Sequence, residues 1–88
     1  MINVEFTDHA LYKISLLKAH GFEITETSVA EIIDYPDKIE EGFEGRLIAQ
    51  KVIDAQHVLR VVFETKKNKV LVVTLYPGRR IRYEKNKI

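Results

Sequence analysis

Cysteine is absent from the 88 residues. The chain can therefore form no disulfide, no thiolate zinc site and no cysteine nucleophile. That lack fits a cytoplasmic compartment. No apolar run reaches the roughly 18 residues that a membrane span needs. Met1-Ile2-Asn3-Val4-Glu5 lacks the basic segment and long apolar stretch of a signal peptide. Gly21, Gly42, Gly45 and Gly78 are too scattered to form a phosphate loop or a dinucleotide fingerprint. His9, His20 and His57 have no metal-ligand spacing, and no Gly-x-Ser-x-Gly elbow occurs. Internal repeats, low-complexity tracts and interdomain linkers are missing too. Neither a metal nor a cofactor is expected.

What remains is one domain, residues 1–88, 45% hydrophobic and 31% charged, a balance that fits an ordered globular chain. The net charge of +1 conceals a polarity. Residues 1–44 carry three lysines against ten acidic residues, and residues 45–88 carry eleven basic residues against three acidic ones. A basic half suggests an anionic partner such as nucleic acid. The alternative is that the two halves pack together and neutralise each other.

Val4 to Phe6 reads as a short edge strand. Thr7 or Asp8 supplies an N-cap, and Ala10, Leu11, Ile14 and Leu17 recur at helical spacing up to a stop at Gly21. Helix 1 is expected over about residues 8–20, with His9, Lys13, Leu16 and His20 on its other face. Thr25 caps a second helix built on Val29, Ile32 and Ile33, and Tyr35-Pro36 ends it. The two helices should form a hairpin that covers one face of a sheet.

From Lys38 onward the period is strand-like. Lys38 to Phe43 reads as a short strand, with a tight turn at Glu44-Gly45. Arg46 to Ile53 and His57 to Glu64 are strands joined through Asp54-Ala55-Gln56. A polar turn, Thr65 to Lys69, leads into the last strand, Val70 to Tyr76, which a Pro77-Gly78 break separates from Arg79-Arg80-Ile81-Arg82-Tyr83. Short connections make neighbours antiparallel, so these strands should form a meander. The last two are apolar at nearly every position and should lie centrally. The expected fold is a two-layer α+β domain: an N-terminal helical hairpin packed on an antiparallel meander of three to four strands.

The order and spacing of several segments resemble the small toxins of the RelE and ParE superfamily. The nearer resemblance is to the BrnT-like toxins and to a related family of small proteins of unknown function. Phe6-Thr7-Asp8-His9-Ala10, His20-Gly21, Ile32-Ile33-Asp34-Tyr35-Pro36-Asp37 and Gly45-Arg46 carry it in the first part of the chain. Leu59-Arg60-Val61-Val62-Phe63-Glu64, Val72-Val73-Thr74-Leu75-Tyr76-Pro77 and the arginines behind them carry it in the second. The resemblance spans roughly residues 6–83 and implies a RelE-like fold. It further implies a ribonuclease of a type II toxin–antitoxin system that inhibits translation without a metal, held inactive by an antitoxin protein. BrnT-like proteins continue into a final helix, for which no room is expected here. Matching positions are Arg79, Arg80, Arg82 and Tyr83 behind the last strand, Arg46 and Arg60 on earlier strands, and His9 and Lys13 on helix 1.

Metal-free RNA cleavage needs a base for the ribose 2′-hydroxyl, cationic donors for the phosphorane and an acid for the leaving oxygen. Arginine stays protonated but clamps phosphate. In an extended segment Arg80 and Arg82 would share a face that Arg79 does not. Tyr76 or Tyr83 could stack on a base. The proton acceptor is open among His57, His9, Glu64, Glu84 and a tyrosine. The catalytic candidates are therefore Arg60, Arg80, Arg82, Tyr83 and His57, and the RNA-contacting candidates are Arg46, Arg79, Tyr76, Lys13 and His9. Two other readings stand beside this one. The first is a non-catalytic module that binds RNA or a protein through the basic edge. The second is a homodimer joined through the acidic and basic halves.

Overall fold

The computed structural model describes residues 3–84. It is an α+β domain in two layers, with two helices on one face of a five-stranded sheet. The elements in order are β1 (Asn3–Phe6), α1 (Asp8–Ala19), α2 (Glu26–Asp34), β2 (Lys38–Glu41), a 3-10 turn (Phe43–Gly45), β3 (Leu47–Val52), β4 (His57–Lys66), β5 (Lys69–Arg79) and a single turn, α3 (Arg80–Tyr83).

Both helix starts are set by local side-chain chemistry. Thr7 Oγ1 accepts from the Ala10 N–H (3.0 Å), and its hydroxyl donates to the Val73 carbonyl (2.9 Å), so one residue caps α1 and ties it to β5. At α2 the Ser28 N–H donates to Thr25 Oγ1 (3.0 Å) while the Thr25 N–H donates to Ser28 Oγ (2.8 Å). This reciprocal pair satisfies two free amides at once. Gly21 stops α1 with a φ of +94°, a backbone state that costs glycine little. The hairpin serves mainly as a cover: α1 packs on β5 and β1, and α2 on β3 and β4.

The strand order is β1-β5-β4-β3-β2. The expected antiparallel meander is present as β2 to β5. The full sheet departs from the expectation, because β1 adds a fifth strand that runs parallel to β5. The reason is connectivity: β1 reaches the far side of β5 only after both helices and three strands intervene. β4 and β5 are central, as their apolar runs suggest. The expected Pro-Gly break does not occur. β5 runs through Pro77 and Gly78, which pair with Leu59 and Val58, and ends at Arg79 opposite His57.

The core lies between the helices and one sheet face. Ala10, Ile14 and Leu17 of α1 and Val29 and Ile32 of α2 meet Ala49, Leu59, Val61, Phe63, Val70, Val72 and Leu75. Each fully buried Val, Leu, Ile or Phe contributes roughly 1.5–3 kcal/mol relative to exposure. On β4, alternation sends Leu59, Val61 and Phe63 to this core and Val58, Arg60, Val62 and Glu64 to the opposite face, which no helix of the N-terminal pair covers. On β5 a bulge changes the parity. Val62 pairs with Thr74 but Phe63 pairs with Val72, leaving Val73 as the extra residue. Val70 and Val72 below it and Leu75 above it therefore all face the core. Tyr76 and Gly78 share the open face with Arg60 and Val58.

Candidate functional site

Arg60 sits in the middle of an apolar strand, so its guanidinium must find acceptors on the open face. It finds three. Nε donates to the Tyr76 hydroxyl (2.9 Å), Nη2 donates to Glu40 Oε1 (2.8 Å), and Nη1 donates to Gln50 Oε1. The Cζ atom lies 4.4 Å from the centroid of the Tyr83 ring and 5.8 Å from that of Tyr76. Arg60 is 5% exposed and Gln50 3% exposed, although both belong to the face without helices. Burial alone would lower the Arg60 pKa. The Tyr76 and Glu40 hydrogen bonds outweigh it and hold the guanidinium above its ordinary value. The Arg60 hydrogen bond, and then that of Lys38, hold the Glu40 carboxyl below the ordinary range.

Cover for this group comes from α3. The turn brings Tyr83 back over the open face, and its ring rests on Gly78. A Cβ placed there would come within 2.3 Å of the ring. Lys38 Nζ donates to the Tyr83 carbonyl (3.3 Å). Beside the group, a cleft of about 460 Å³ is lined by Arg60, Tyr76, Arg46, Glu40, Ile48 and Phe43, and Phe43 is 90% exposed. Arg46 Nε donates to Glu64 Oε2 (2.8 Å), which keeps the Glu64 carboxyl below its ordinary value.

A second cluster forms where β4 begins and β5 ends. Asp54 holds the turn between β3 and β4 by accepting from the Gln56 and His57 N–H groups (both 2.8 Å). The same carboxylate meets the His57 ring, with Nδ1 2.9 Å from Oδ1 and 3.1 Å from Oδ2. The Gln56 backbone hydrogen bond, followed by those of His57, depresses the Asp54 pKa. Phe22 meets the His57 ring edge-on at 5.1 Å. The Arg80 N–H donates to the Gln56 carbonyl (2.9 Å), which pins α3 to this turn. His57, Gln56, Arg79, Arg80 and Ile81 then enclose a pocket of about 290 Å³. Among the described residues His57 Nε2 makes no hydrogen bond.

The candidate residues thus separate into two groups. Arg60, Tyr76 and Tyr83 converge on the open face with Arg46 at the rim. His57, Arg79 and Arg80 converge at the end of the sheet, with α3 as the bridge. Arg80 and Arg82 do not share an extended face. Residues 80–83 form a helical turn, in which Arg80 Nε donates to Glu84 Oε1 (3.0 Å) and Arg82 is exposed. His9 and Lys13 belong to α1, on the other side of the sheet from Arg60, and join neither group. Charge is partly neutralised between the two halves of the chain, through Arg60–Glu40, Lys69–Glu5 (3.3 Å) and Lys51–Asp37 (3.9 Å).

Sequence reasoning did not single out Glu40, Gln50, Asp54 or Gly78. The available signal was Arg60 itself, flanked by Val58, Leu59, Val61 and Val62: a charge in a buried strand requires acceptors on the neighbouring strands. Among the described residues no cluster of three or more His, Asp or Glu side chains could hold a metal ion, and no helix is long and apolar enough to cross a membrane.

No family model and no curated protein matches the chain. Among solved structures, the chain is similar to the solution structure of the conserved hypothetical protein HP0894 from Helicobacter pylori. That likeness has a TM-score of 0.57 and 10% identity, and covers 89% of this chain and 96% of the other. It is a likeness of fold.

Proposed function

We propose that this protein is a metal-independent ribonuclease of the RelE-like and BrnT-like toxin kind, acting on RNA or on ribosome-bound RNA. The observation that carries the reading is the pocket in which an Asp54-held His57 meets Arg79 and Arg80. It supplies an oriented base beside two phosphate clamps. With Nδ1–H directed at Asp54, Nε2 takes the proton of a ribose 2′-hydroxyl. The 2′-oxygen attacks the adjacent phosphorus, and Arg79 and Arg80 balance the charge of the phosphorane. The bond from phosphorus to the 5′-oxygen breaks, and that oxygen receives the proton from Nε2. The products are a 2′,3′-cyclic phosphate and a 5′-hydroxyl. Arg82, on the same turn as Arg80, contacts a flanking phosphate, while Arg46, Tyr76 and Tyr83 meet more distant nucleotides on the open face. In this reading the protein acts in the cytoplasm, and an antitoxin protein restrains it.

A second reading is favoured by the state of Arg60. Every nitrogen of its guanidinium already donates to a protein group, and the Tyr83 ring covers it. It therefore holds the fold as it stands, which suits a non-catalytic module of the same fold that binds RNA or protein.

Purified protein incubated with free RNA in the presence of a chelator, and with translating ribosomes in magnesium buffer, separates the two. Cleavage leaving cyclic phosphate ends is expected. His57→Ala and Arg80→Ala should each slow it by about 10²–10⁴-fold, and a 2′-deoxy nucleotide at the scissile position should block it. RNA left intact by the wild type under both conditions overturns the ribonuclease reading. Salt-sensitive binding without turnover would then support the second.

A further inference from the structure

Among the described residues β2 is an edge strand, paired on one side with β3. The Gly42 N–H donates inward to the Arg46 carbonyl (2.8 Å). In an antiparallel ladder the peptide groups alternate, so Glu40 and Lys38 also point inward and Ile39 points its N–H and C=O outward. Ile39 is 48% exposed. Lys38 and Glu40 lie on the open face with side chains 42% and 41% exposed.

We infer that this edge pairs with the same edge of a second copy of the chain, antiparallel and centred on Ile39. The inference is independent of any ribonuclease activity. Charge selects the partner and the register. With a two-fold axis through the Ile39 pair, Lys38 faces Glu40 of the second copy, and Glu40 faces its Lys38. The two Ile39 residues exchange both backbone hydrogen bonds. Moving the centre to Lys38 sets lysine against lysine, and moving it to Glu40 sets glutamate against glutamate. A slip by one residue opposes side chains from different faces of the sheet. The ladder ends with the strand, because Phe43 begins the 3-10 turn and the Asp37 N–H turns inward to the Gln50 carbonyl (2.8 Å). One pair is adverse: Asp37 comes opposite Glu41. Asp37 is already engaged by the Val52 N–H (2.8 Å) and by Lys51. A single-sign edge would repel its own copy, whereas this alternating edge attracts it. The result is a continuous ten-stranded sheet whose two open faces lie on the same side. The two clefts beside Glu40 and Phe43 then flank the seam.

Sedimentation of the wild-type chain from micromolar to submillimolar concentration should show a monomer–dimer equilibrium that weakens with salt. Ile39→Pro removes only an outward N–H, so it should give a monomer with an unchanged circular dichroism spectrum. Lys38→Glu should weaken the dimer on the order of tenfold. The chain has no cysteine of its own. In a hydrogen-bonded antiparallel pair the Cα atoms lie about 5.5 Å apart, within disulfide reach. Ile39→Cys should therefore oxidise to a covalent dimer. A wild-type monomer throughout that range, a dimer that persists in Ile39→Pro, or an Ile39→Cys chain that stays unlinked would each overturn the inference.

Discussion

Removing the Arg60 side chain tests whether the open face is organised around it. In Arg60→Ala, Gln50, which is 3% exposed in the native fold, loses the partner of its Oε1, and a buried acceptor left unpaired costs about 1–3 kcal/mol. The stacking with Tyr83 adds about 0.5–1 kcal/mol, and the space left by the stem adds a cavity contribution. Glu40 contributes little, because its side chain is 41% exposed and water replaces the guanidinium. The total is about 3 kcal/mol, at the low end of the cost of breaking a buried pair. For a domain of this size that corresponds to a drop in Tm of roughly 12–24 °C. Urea titration followed by far-ultraviolet circular dichroism measures it, with the slope m expected to be unchanged. Arg60→Met combined with Gln50→Met removes donor and acceptor together and keeps volume. It should cost less than Arg60→Ala alone, a non-additivity characteristic of residues in contact. A cost below about 1 kcal/mol for Arg60→Ala would refute the reasoning, and the guanidinium would then be free for a ligand.

Two further perturbations address the cover and the charge. Gly78→Ala places a Cβ within 2.3 Å of the Tyr83 ring. The ring should leave Arg60, which the amide and side-chain N–H resonances of Arg60 will register. Stability should fall by only about 1 kcal/mol, because α3 contains no buried residue; a loss of 3 kcal/mol or more would show that the ring cannot move. Glu40 and Glu64 are held below the ordinary carboxylate value by Arg60 and Arg46. Their unfolded forms take up protons first as pH falls. The stability they contribute is therefore present above about pH 4.3, the ordinary glutamate value, and is lost as pH falls through their folded values. Glu40→Gln should flatten the acid limb of a plot of urea midpoint against pH; parallel limbs in mutant and wild type would count against the pairing.

The helices were legible because their signals are local. Thr7 and Thr25 cap them, Gly21 ends α1, and apolar spacing marks the buried stripes. The meander was legible for the same reason, since short turns permit only antiparallel neighbours. The parallel pairing of β1 was not, because nothing near Val4 or Phe6 refers to Val70 or Val72 more than 60 positions away. Pro77-Gly78 carried the local signature of a break. Tertiary pairing with Leu59 and Val58 overrode it, and glycine is needed there because an aromatic ring lies on it. Of the candidate site, the residue types were visible and their grouping was not. Arg60 with Tyr76 follows from register, whereas Tyr83 reaches Arg60 only because residues 80–83 curl into a turn.

The extra residue at Val73 bears on how this chain can change over generations. Below it β5 turns even-numbered side chains to the core, and above it odd-numbered ones. Deleting Val73 would restore a uniform ladder with every pair kept, Val72 against Phe63 and Thr74 against Val62. Leu75 would stay in the core, and Tyr76 and Gly78 would stay on the open face. A deletion between Leu75 and Arg79 lies past the bulge and would turn each later position to the opposite face. Drift in length is therefore expected at Val73 and in the exposed turn near Lys67 and Asn68, and excluded from the stretch between Leu75 and Arg79.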